Sequence, residues 1–402
     1  MKNLIKKSAA SLKGVLKNRL PPKLIELTRR TQYNLHRKIF SIALTNRGRR
    51  VKKLINANFE LLKDFRAALT EMIFDYRRVY PPDLYINSYK SKQVALIKPA
   101  VKECCGCTPI ALCVVKNDFE KVRAQVEHHR RIGIKHFAYI DNISTDGVRE
   151  WLMGQDDVSL FSTDEKFNDI AKESWKKQAA DALGYDKWYL ILDPDEFFTY
   201  PDIENKPLSA YIEFLESRKM KSILALMVDM YTKERLFTSV SGDFINDYRF
   251  FDTDTYMHKR WYGFQEIYNG PRWRVFHSDD MLMHTGLTKY PLVKLTKDMV
   301  MSTHKNHPSK LNFATNGAAA FLLHYKFLPA EKSKYDDFAK GGIASVADRE
   351  YRQMAKICSQ NPELTLHYDG SQRLDSPIDL MKINVTDRKF FKKFFDYCAK
   401  RP

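Results

Sequence analysis

The sequence has no long hydrophobic run, and this absence limits what the chain can be. No uninterrupted apolar run approaches the roughly 18 residues that a membrane span needs. No apolar segment precedes a small-residue cleavage site near the start, so we expect no secretory signal. Internal repeats and low-complexity tracts are also missing. With 44% hydrophobic and 13% aromatic residues among 402, the composition predicts a soluble enzyme of two or three domains.

Cysteine is scarce as well. The chain has six cysteines, and their spacing shows no disulfide framework. We therefore expect reduced thiols in a cytoplasmic protein. The cluster Cys104-Cys105-Gly106-Cys107 invites a zinc interpretation, but no second Cys or His pair lies near it at finger-like spacing. Zinc is therefore not expected.

Acidic residues are nearly absent from the first part of the chain. Residues 1–100 contain 23 Lys and Arg and six Asp and Glu, out of a net charge of +18 for the whole chain. Glu26 is the only acid among the first 53 residues. Apolar residues at helical spacing predict basic amphipathic helices there, which suit an anionic membrane surface. A helical hairpin packed on the rest of the chain and a nucleic-acid arm are the alternatives, and no nucleic-acid-binding motif supports the second.

Four short apolar runs predict parallel strands of one sheet. They cover residues 110–115, 136–140, 158–161 and 188–192, and helical segments separate them. Each run is followed by polar or acidic residues, which should gather at the carboxyl edge of the sheet, where open α/β folds bind ligands.

We therefore predict an α/β fold in three parts. A Rossmann-like, mostly parallel central sheet flanked by helices forms a catalytic domain over residues 101–345. A basic helical N-terminal region covers residues 1–100, and a mostly helical C-terminal region covers residues 346–402.

The turn Asp193-Pro194-Asp195-Glu196 is the most informative of the polar segments. It follows a short apolar strand, so its carboxylates should lie at the sheet edge. Carboxylates this close repel each other unless a cation or a proton lies between them. Mg²⁺ or Mn²⁺ fits, because such ions bind one or two carboxylates together with substrate phosphates. The alternative is a charged turn without a ligand.

A series of short motifs runs in order through residues 108–345. They are Lys116-Asn117-Asp118, Glu127-His128-His129, Asp141-Asn142-Ile143-Ser144-Thr145-Asp146-Gly147, Gln178, Asp193-Pro194-Asp195-Glu196-Phe197, Val228-Asp229-Met230-Tyr231, Gly270-Pro271-Arg272, Leu287-Thr288-Lys289-Tyr290, Ser302-Thr303-His304 and Leu323-His324-Tyr325-Lys326-Phe327. In order and spacing they resemble the nucleotide-sugar-dependent bacterial glycosyltransferases with a family-2-like GT-A fold. Asp118 departs from the family, which usually carries Glu there.

The resemblance implies a reaction and its partners. A sugar would pass from a nucleotide sugar, with a UDP-sugar favoured, to a glycan or lipid-linked glycan in bacterial surface polysaccharide or lipopolysaccharide assembly. Independently of the resemblance, the cysteines predict a cytoplasmic enzyme, and the charge predicts that residues 1–53 dock it on the inner face of the plasma membrane. A divalent metal, Mn²⁺ or Mg²⁺, would be the cofactor.

The resemblance also implies site residues. Asp195 would bind the metal, Asp193 the metal or the ribose, and His324 or His304 would complete the metal shell. Asp141 occupies the position that accepts the imide N–H of uracil. Donor binding would involve Lys116, Asn117, Asp141, Asn142, Ser144, Asp146, Gln178, Asp193, Arg272, Lys289 and Lys326, of which Asn142, Ser144 and Asp146 would mainly hold the loop.

For the catalytic base we predict Asp229, because it follows an apolar strand and should project from the same sheet edge. An inverting reaction uses one carboxylate as general base. Glu196, Glu266 and Asp252 are the alternatives, and a retaining reaction would require no single base.

Two rival classes are considered for the whole chain. A metal-dependent phosphohydrolase or nuclease would use the same carboxylates, with the basic region as a nucleic-acid arm. A non-catalytic binding module is the third class, although carboxylates at a sheet edge serve no obvious scaffold purpose. The nucleoside pocket expected at Lys116, Asn117 and Asp141 favours the transferase.

Overall fold

The computed structural model describes residues 91–101, 108–261, 264–277, 286–301, 304, 306–307, 309–339 and 348–400. The basic helices predicted for residues 1–53 and the Cys104–Cys107 cluster lie outside these ranges. Among the described residues, no helix is both long enough and apolar enough to span a bilayer.

Strands and helices alternate over residues 110–192, and the described chain becomes less regular afterwards. The strands are β1 (Ala95–Lys98), β2 (Ile110–Val115), β3 (His136–Asp141), β4 (Val158–Ser162), β5 (Lys187–Leu192), β6 (Glu196–Thr199), β7 (Ala225–Asp229), β8 (Phe250–Phe251), β9 (Tyr256–Trp261), β10 (Phe264–Asn269), β11 (Thr288–Lys289), β12 (Leu292–Leu295), β13 (Val300–Met301), β14 (Asn306–His307), β15 (Ala320–His324) and β16 (Gln372–Arg373). The helices are α1 (Phe119–Arg131), α2 (Val148–Met153), α3 (Asp169–Leu183), α4 (Leu208–Ser217), α5 (Phe244–Asp247), α6 (Gly270–Phe276), α7 (Lys332–Ala339), α8 (Asp348–Gln360) and α9 (Arg388–Ala399).

A six-stranded sheet forms the centre of the described fold, in the order β1-β4-β3-β2-β5-β12. Its four inner strands are parallel, and the two edge strands run antiparallel to their neighbours. The predicted α/β class with a mostly parallel central sheet is therefore confirmed. Residues 95–98, which the sequence assigned to the N-terminal region, belong to this sheet as β1.

Both faces of the sheet are covered, because side chains of successive strand residues point to opposite faces. On one face, Leu112 of β2 lies in an apolar cluster with Trp175 and Ala179 of α3. On the other face, Cys113 lies in a second cluster with Val126 of α1. Every residue of β2 is buried. This explains why β2 is a continuous apolar run without polar alternation.

A second sheet, in the order β11-β7-β15-β6, follows the first. The turn from Asp193 to Glu196 connects β5 of the central sheet to β6 of the second. In the second sheet His324 lies opposite Glu196 on one side and opposite Asp229 on the other. The junction of the two sheets therefore brings several predicted site residues together.

The C-terminal region packs into the main core. Phe394 of α9 lies against Tyr211 and Phe214 of α4, with ring centroids 5.0 Å and 5.4 Å apart. Leu380 and Ile383 are fully buried in the same core. These contacts join residues 377–399 to the domain that carries the candidate site.

His129 is a buried histidine that links α1 to β6. Its Nδ1–H donates to the carbonyl of Gln125 at 2.7 Å, and its Nε2 accepts the amide of Phe198 at 3.1 Å. A proton on Nε2 would meet the Phe198 N–H, so only the neutral ring fits. Burial, together with neighbouring His128, accordingly lowers the pKa of His129 well below its ordinary value.

Because His129 is buried as a neutral ring, we expect the folded protein to lose stability in acid. The unfolded chain takes up a proton near pH 6.5 and the folded chain does not, so stability is retained above that pH and lost as the pH falls below it. The loss is up to about 1.4 kcal/mol per pH unit for each such histidine. His129→Gln keeps a donor and an acceptor but does not titrate. Urea unfolding at about pH 7.5 and about pH 5.5 should therefore show a smaller acid loss in the variant. An unchanged pH dependence would contradict this role.

Candidate functional site

The turn between the two sheets is stabilised by a backbone hydrogen bond of its own and by a side chain of α1. Pro194 occupies the second turn position, and the amide of Glu196 donates to the carbonyl of Asp193 at 3.1 Å. The buried side chain of Gln125 donates from Nε2 to the carbonyls of Asp193 and Glu196, at 2.6 Å and 2.9 Å. Its Oε1 accepts from Tyr139 at 2.8 Å. Gln125 therefore fixes the position of the carboxylates.

Two lysines form ion pairs with the carboxylate of Asp193. Lys289 Nζ lies 2.9 Å from Oδ2, and Lys172 of α3 donates to Oδ1. Although burial opposes ionisation, these two cations hold the pKa of Asp193 well below its ordinary range. This occupation does not suit the metal-ligand role expected for Asp193, because both of its oxygens already bind ammonium groups.

Glu196 is part of the support of the same turn. Its Oε2 accepts the amide of Asp193 at 3.0 Å, and its Oε1 lies 3.0 Å from Lys289 Nζ. Burial raises the pKa of this carboxyl, with Asp193 and Asp195 adding to the effect against Lys289. The side chain is buried, so its position favours a role in holding the turn over contact with substrate.

Asp195 and His324 form the open end of the site. Asp195 Oδ2 lies 3.3 Å from His324 Nε2, and a quarter of the Asp195 side chain is exposed. Burial opposes ionisation, but His324, Lys121 and Lys326 together hold the pKa of Asp195 below its ordinary range. Of the four predicted metal ligands, Asp195 and His324 are the pair whose potential ligand atoms, Oδ2 and Nε2, face each other.

Behind His324 lies a buried ionic chain. His324 Nδ1 is 2.6 Å from Asp229 Oδ1, and Asp229 Oδ2 is 2.7 Å from Arg272 Nε. Burial works against charge on each group, yet Arg272 and His324 lower the pKa of Asp229 to about 2, and Asp195 and Asp229 raise the pKa of His324 to about 9. Asp229 is fully buried with both oxygens occupied. This geometry suits an orienting role better than the predicted role of general base.

Further cations surround Asp195. Lys121 of α1 pairs with Asp118 and with Glu331, and its charge acts on Asp195. Lys326 donates to the hydroxyl of Tyr351 at 2.7 Å and lies over that ring. Neither the role of Lys121 nor that of Lys172 is apparent from the sequence. The only signal is that such lysines fall on otherwise buried helix faces.

The loops after β2 and β3 are bound to each other. Asn117 accepts the amide of Thr145 at 2.7 Å, and Ser144 Oγ accepts the amide of Asn117 at 3.0 Å. Asp146 accepts the amide of Phe119 at 2.8 Å. Lys116, which precedes this network, is exposed. The network gives the carboxyl edge beside β2 and β3 a defined shape.

Asp141, at the end of β3, is fully buried. Its Oδ1 accepts the amide of Ser144 at 3.1 Å, and Arg149 Nη1 lies 3.5 Å from its Oδ2. Asn142 donates to the carbonyls of Thr163 and Glu165, at 3.0 Å and 2.9 Å. The carboxylate expected to accept a uracil imide is thus already shared with Arg149.

Two expected site residues, Gln178 and His304, have other partners. Gln178 binds the segment before β1, donating to Ser91 at 2.7 Å and accepting the amide of Val94 at 2.9 Å. These contacts use both the nitrogen and the oxygen of the Gln178 amide, which does not support the predicted contact with the nucleotide-sugar donor. The exposed His304 binds the carbonyl of Thr288 at 2.8 Å through Nδ1.

The two other alternative bases, Asp252 and Glu266, lie outside the turn that carries Asp195. Asp252 is fully buried and binds Arg274 at 2.9 Å and the hydroxyl of Tyr231 at 2.6 Å. Glu266 belongs to the hairpin of β9 and β10, where it lies opposite Lys259. Asp252 thus stabilises the attachment of α6.

The donor atoms present fit a divalent cation at Asp195 and His324. Among the described residues, no group of three or more His, Cys, Asp or Glu is placed to hold a metal by itself. A carboxylate and an imidazole backed by a second carboxylate nevertheless form a common protein ligand arrangement, in which substrate and water supply the remaining ligands. Asp193 does not fit, because two lysines occupy it.

No protein-family model and no curated protein matches the chain. Among solved structures it is similar to S. aureus TarS 1–349, at 10% identity and a TM-score of 0.28, over 63% of this chain and 72% of that one. It is similar to the mannosyltransferase PcManGT from Pyrobaculum calidifontis in complex with GDP-Man and Mn²⁺, at 12% identity and a TM-score of 0.27, over 83% and 87%. It is also similar to a UDP-glucose pyrophosphorylase complexed with UDP-glucose, at 8% identity and a TM-score of 0.24, over 71% of this chain and 99% of that one. Likeness at this level does not assign an activity.

Proposed function

We propose that the chain is a metal-dependent glycosyltransferase of the GT-A type that uses a nucleotide sugar. The observation that carries the proposal is the Asp195–His324 pair at the carboxyl edge of a parallel sheet. Open α/β sheets bind nucleotides at that edge. The motif order in the sequence supports the same conclusion independently.

In this proposal each residue around the pair has a role. Asp195 and His324 would hold Mn²⁺ or Mg²⁺, and such an ion stabilises the charge of a leaving diphosphate. Lys326 and Lys121 carry positive charge beside Asp195, which favours binding of a diphosphate. Lys289 and Lys172 instead neutralise Asp193 and hold the turn in place.

The donor nucleoside would lie over the loops that follow β2 and β3. Lys116 is exposed there, and the bound loops provide a preformed surface. Because Asp141 is shared with Arg149, the guanidinium is the more accessible partner for base carbonyl oxygens. A uridine base, with two carbonyls, fits this donor set.

The acceptor is proposed to be a glycan or lipid-linked glycan. The support is the charge of residues 1–53, which suits an anionic membrane surface where lipid-linked acceptors reside. The rival phosphohydrolase or nuclease would need Asp193 and Asp195 as a two-metal carboxylate set. The ion pairs of Asp193 with two lysines argue against that use.

Thermal shift with nucleotides tests the donor and the metal together. A ligand at one hundred times its Kd stabilises the folded state by about 2.7 kcal/mol, which raises the Tm by several degrees. UDP with Mn²⁺ should produce this shift, UDP with EDTA a smaller one, and Asp195→Asn should lose the Mn²⁺-dependent part. A larger response to GDP or CMP would replace the uridine assignment. No response to any nucleotide diphosphate, with or without Mn²⁺, would contradict the proposed function.

A further inference from the structure

We infer that Asp229 and Arg272 are positioning residues that hold His324 in the one orientation and tautomer able to bind a divalent cation next to Asp195. The inference rests on the proposed function only in taking Asp195 and His324 as the cation ligands. Asp229 would then orient His324 instead of acting as a base, and this effect can be measured without any transfer reaction.

The chain of contacts is direct and buried. His324 and Asp229 are register neighbours on the parallel strands β15 and β7, so the backbone brings their side chains together. His324 Nδ1 lies 2.6 Å from Asp229 Oδ1. Asp229 has no solvent exposure and His324 only 6%. Water therefore cannot substitute readily for either partner.

This contact decides which ring nitrogen of His324 is available. A carboxylate accepts hydrogen bonds, so the atom facing Asp229 must be Nδ1–H. Nε2 is left on the opposite side of the ring, where it faces Asp195 Oδ2 at 3.3 Å. A divalent cation bound there would replace the proton that Nε2 carries when the imidazole is charged. Histidines that bind metals commonly donate their other N–H to a carboxylate, which fixes tautomer and ring orientation.

Arg272 extends the chain by one step. Its Nε binds Asp229 Oδ2 at 2.7 Å, so Asp229 cannot rotate away from the imidazole without breaking an ion pair. A buried carboxylate without such a partner would be strongly unfavourable. Arg272 therefore keeps Asp229 ionised and oriented, and acts on His324 only through it.

The fold contains a matched pair for comparison. Asp252 is as buried as Asp229, and it binds Arg274, which lies two residues from Arg272 on the same helix α6. Within the part of the chain that the structure describes, the other hydrogen bonds of Asp252 come from the hydroxyls of Tyr231 and Thr255. Asp252→Asn thus removes a comparable buried charge pair without touching the cation ligands.

The test is Mn²⁺ binding to the full-length protein, measured by electron paramagnetic resonance of free Mn²⁺ without nucleotide. Asp229→Asn should weaken binding by about 10- to 100-fold, as loss of a hydrogen-bonding partner of a ligand typically does. The reason is that an asparagine amide can also turn and donate to Nδ1, which places the proton on Nε2. Arg272→Gln should weaken binding less, and Asp252→Asn should leave it within about twofold.

The outcomes separate this inference from the proposed function. Unchanged Mn²⁺ affinity in a folded Asp229→Asn protein would overturn it, as would equal weakening in Asp252→Asn. If Asp229→Asn does not fold, Arg272→Gln becomes the deciding variant, and unchanged affinity there would overturn the inference. Loss of Mn²⁺ affinity in Asp229→Asn, together with no transfer by the unmodified protein from any nucleotide sugar, would support the inference while rejecting the proposed function.

Discussion

Replacement of Asp195 by asparagine should reduce transfer from the nucleotide sugar by on the order of 10³-fold in kcat, the upper range for loss of one electrostatic stabiliser. Asp195 is partly exposed, its Oδ2 faces His324 Nε2, and lysines pair with Asp193 instead. The neutral amide keeps the shape but provides much less attraction for a divalent cation. Quantification of the released nucleoside diphosphate by chromatography would measure the loss.

The fold of this variant should persist, because a partly exposed side chain contributes little to the core. Circular dichroism and the melting temperature should stay close to those of the unmodified protein. Asp164→Asn is the matched control: Asp164 also follows a central strand, but it is well exposed and pairs with Lys92. Its turnover should be nearly unchanged. Near-normal turnover of Asp195→Asn would reject the metal assignment.

Replacement of Lys289 by methionine should destabilise the protein by about 3 to 5 kcal/mol, the range for removing one partner of a buried ion pair. Lys289 Nζ binds Asp193 at 2.9 Å and Glu196 at 3.0 Å, and the lysine side chain is only 7% exposed. Without it, two neighbouring carboxylates would repel each other, with Lys172 as the remaining cation on Asp193. Urea unfolding monitored by fluorescence would measure the loss.

Lys294→Met provides the comparison for Lys289→Met. Lys294 lies on β12, the next strand along the chain, and pairs with Glu216 at 2.7 Å, but both side chains are more than a third exposed. Exposed pairs contribute about 0 to 1 kcal/mol, so this change should have little effect. Equal stability of the two variants would mean that the Asp193 pairs are not coupled to folding.

The sequence determined the central sheet, and the reason is local. Runs such as 110–115 and 137–140 are apolar throughout, as is typical of strands covered on both faces. Helical periodicity between them implied parallel connections, and the polar residues after each run therefore had to share one edge. The location of Asp195 at that edge was predictable for the same reason.

Only the tertiary structure decided what each of these residues contacts. Asp193 meets Lys289 across 96 positions of sequence, and Asp229 meets His324 across 95. Such pairings follow from the order and register of strands in the second sheet, which hydrophobic pattern does not encode. Burial and partner charge then separate carboxylates that look alike in sequence: Asp193 is neutralised by lysines, the fully buried Asp229 supports an imidazole, and Asp195 faces the other nitrogen of that imidazole. Because electrostatic interactions depend on distance and burial, the roles of these residues arise from the fold, whereas their position at the sheet edge is already determined by the sequence.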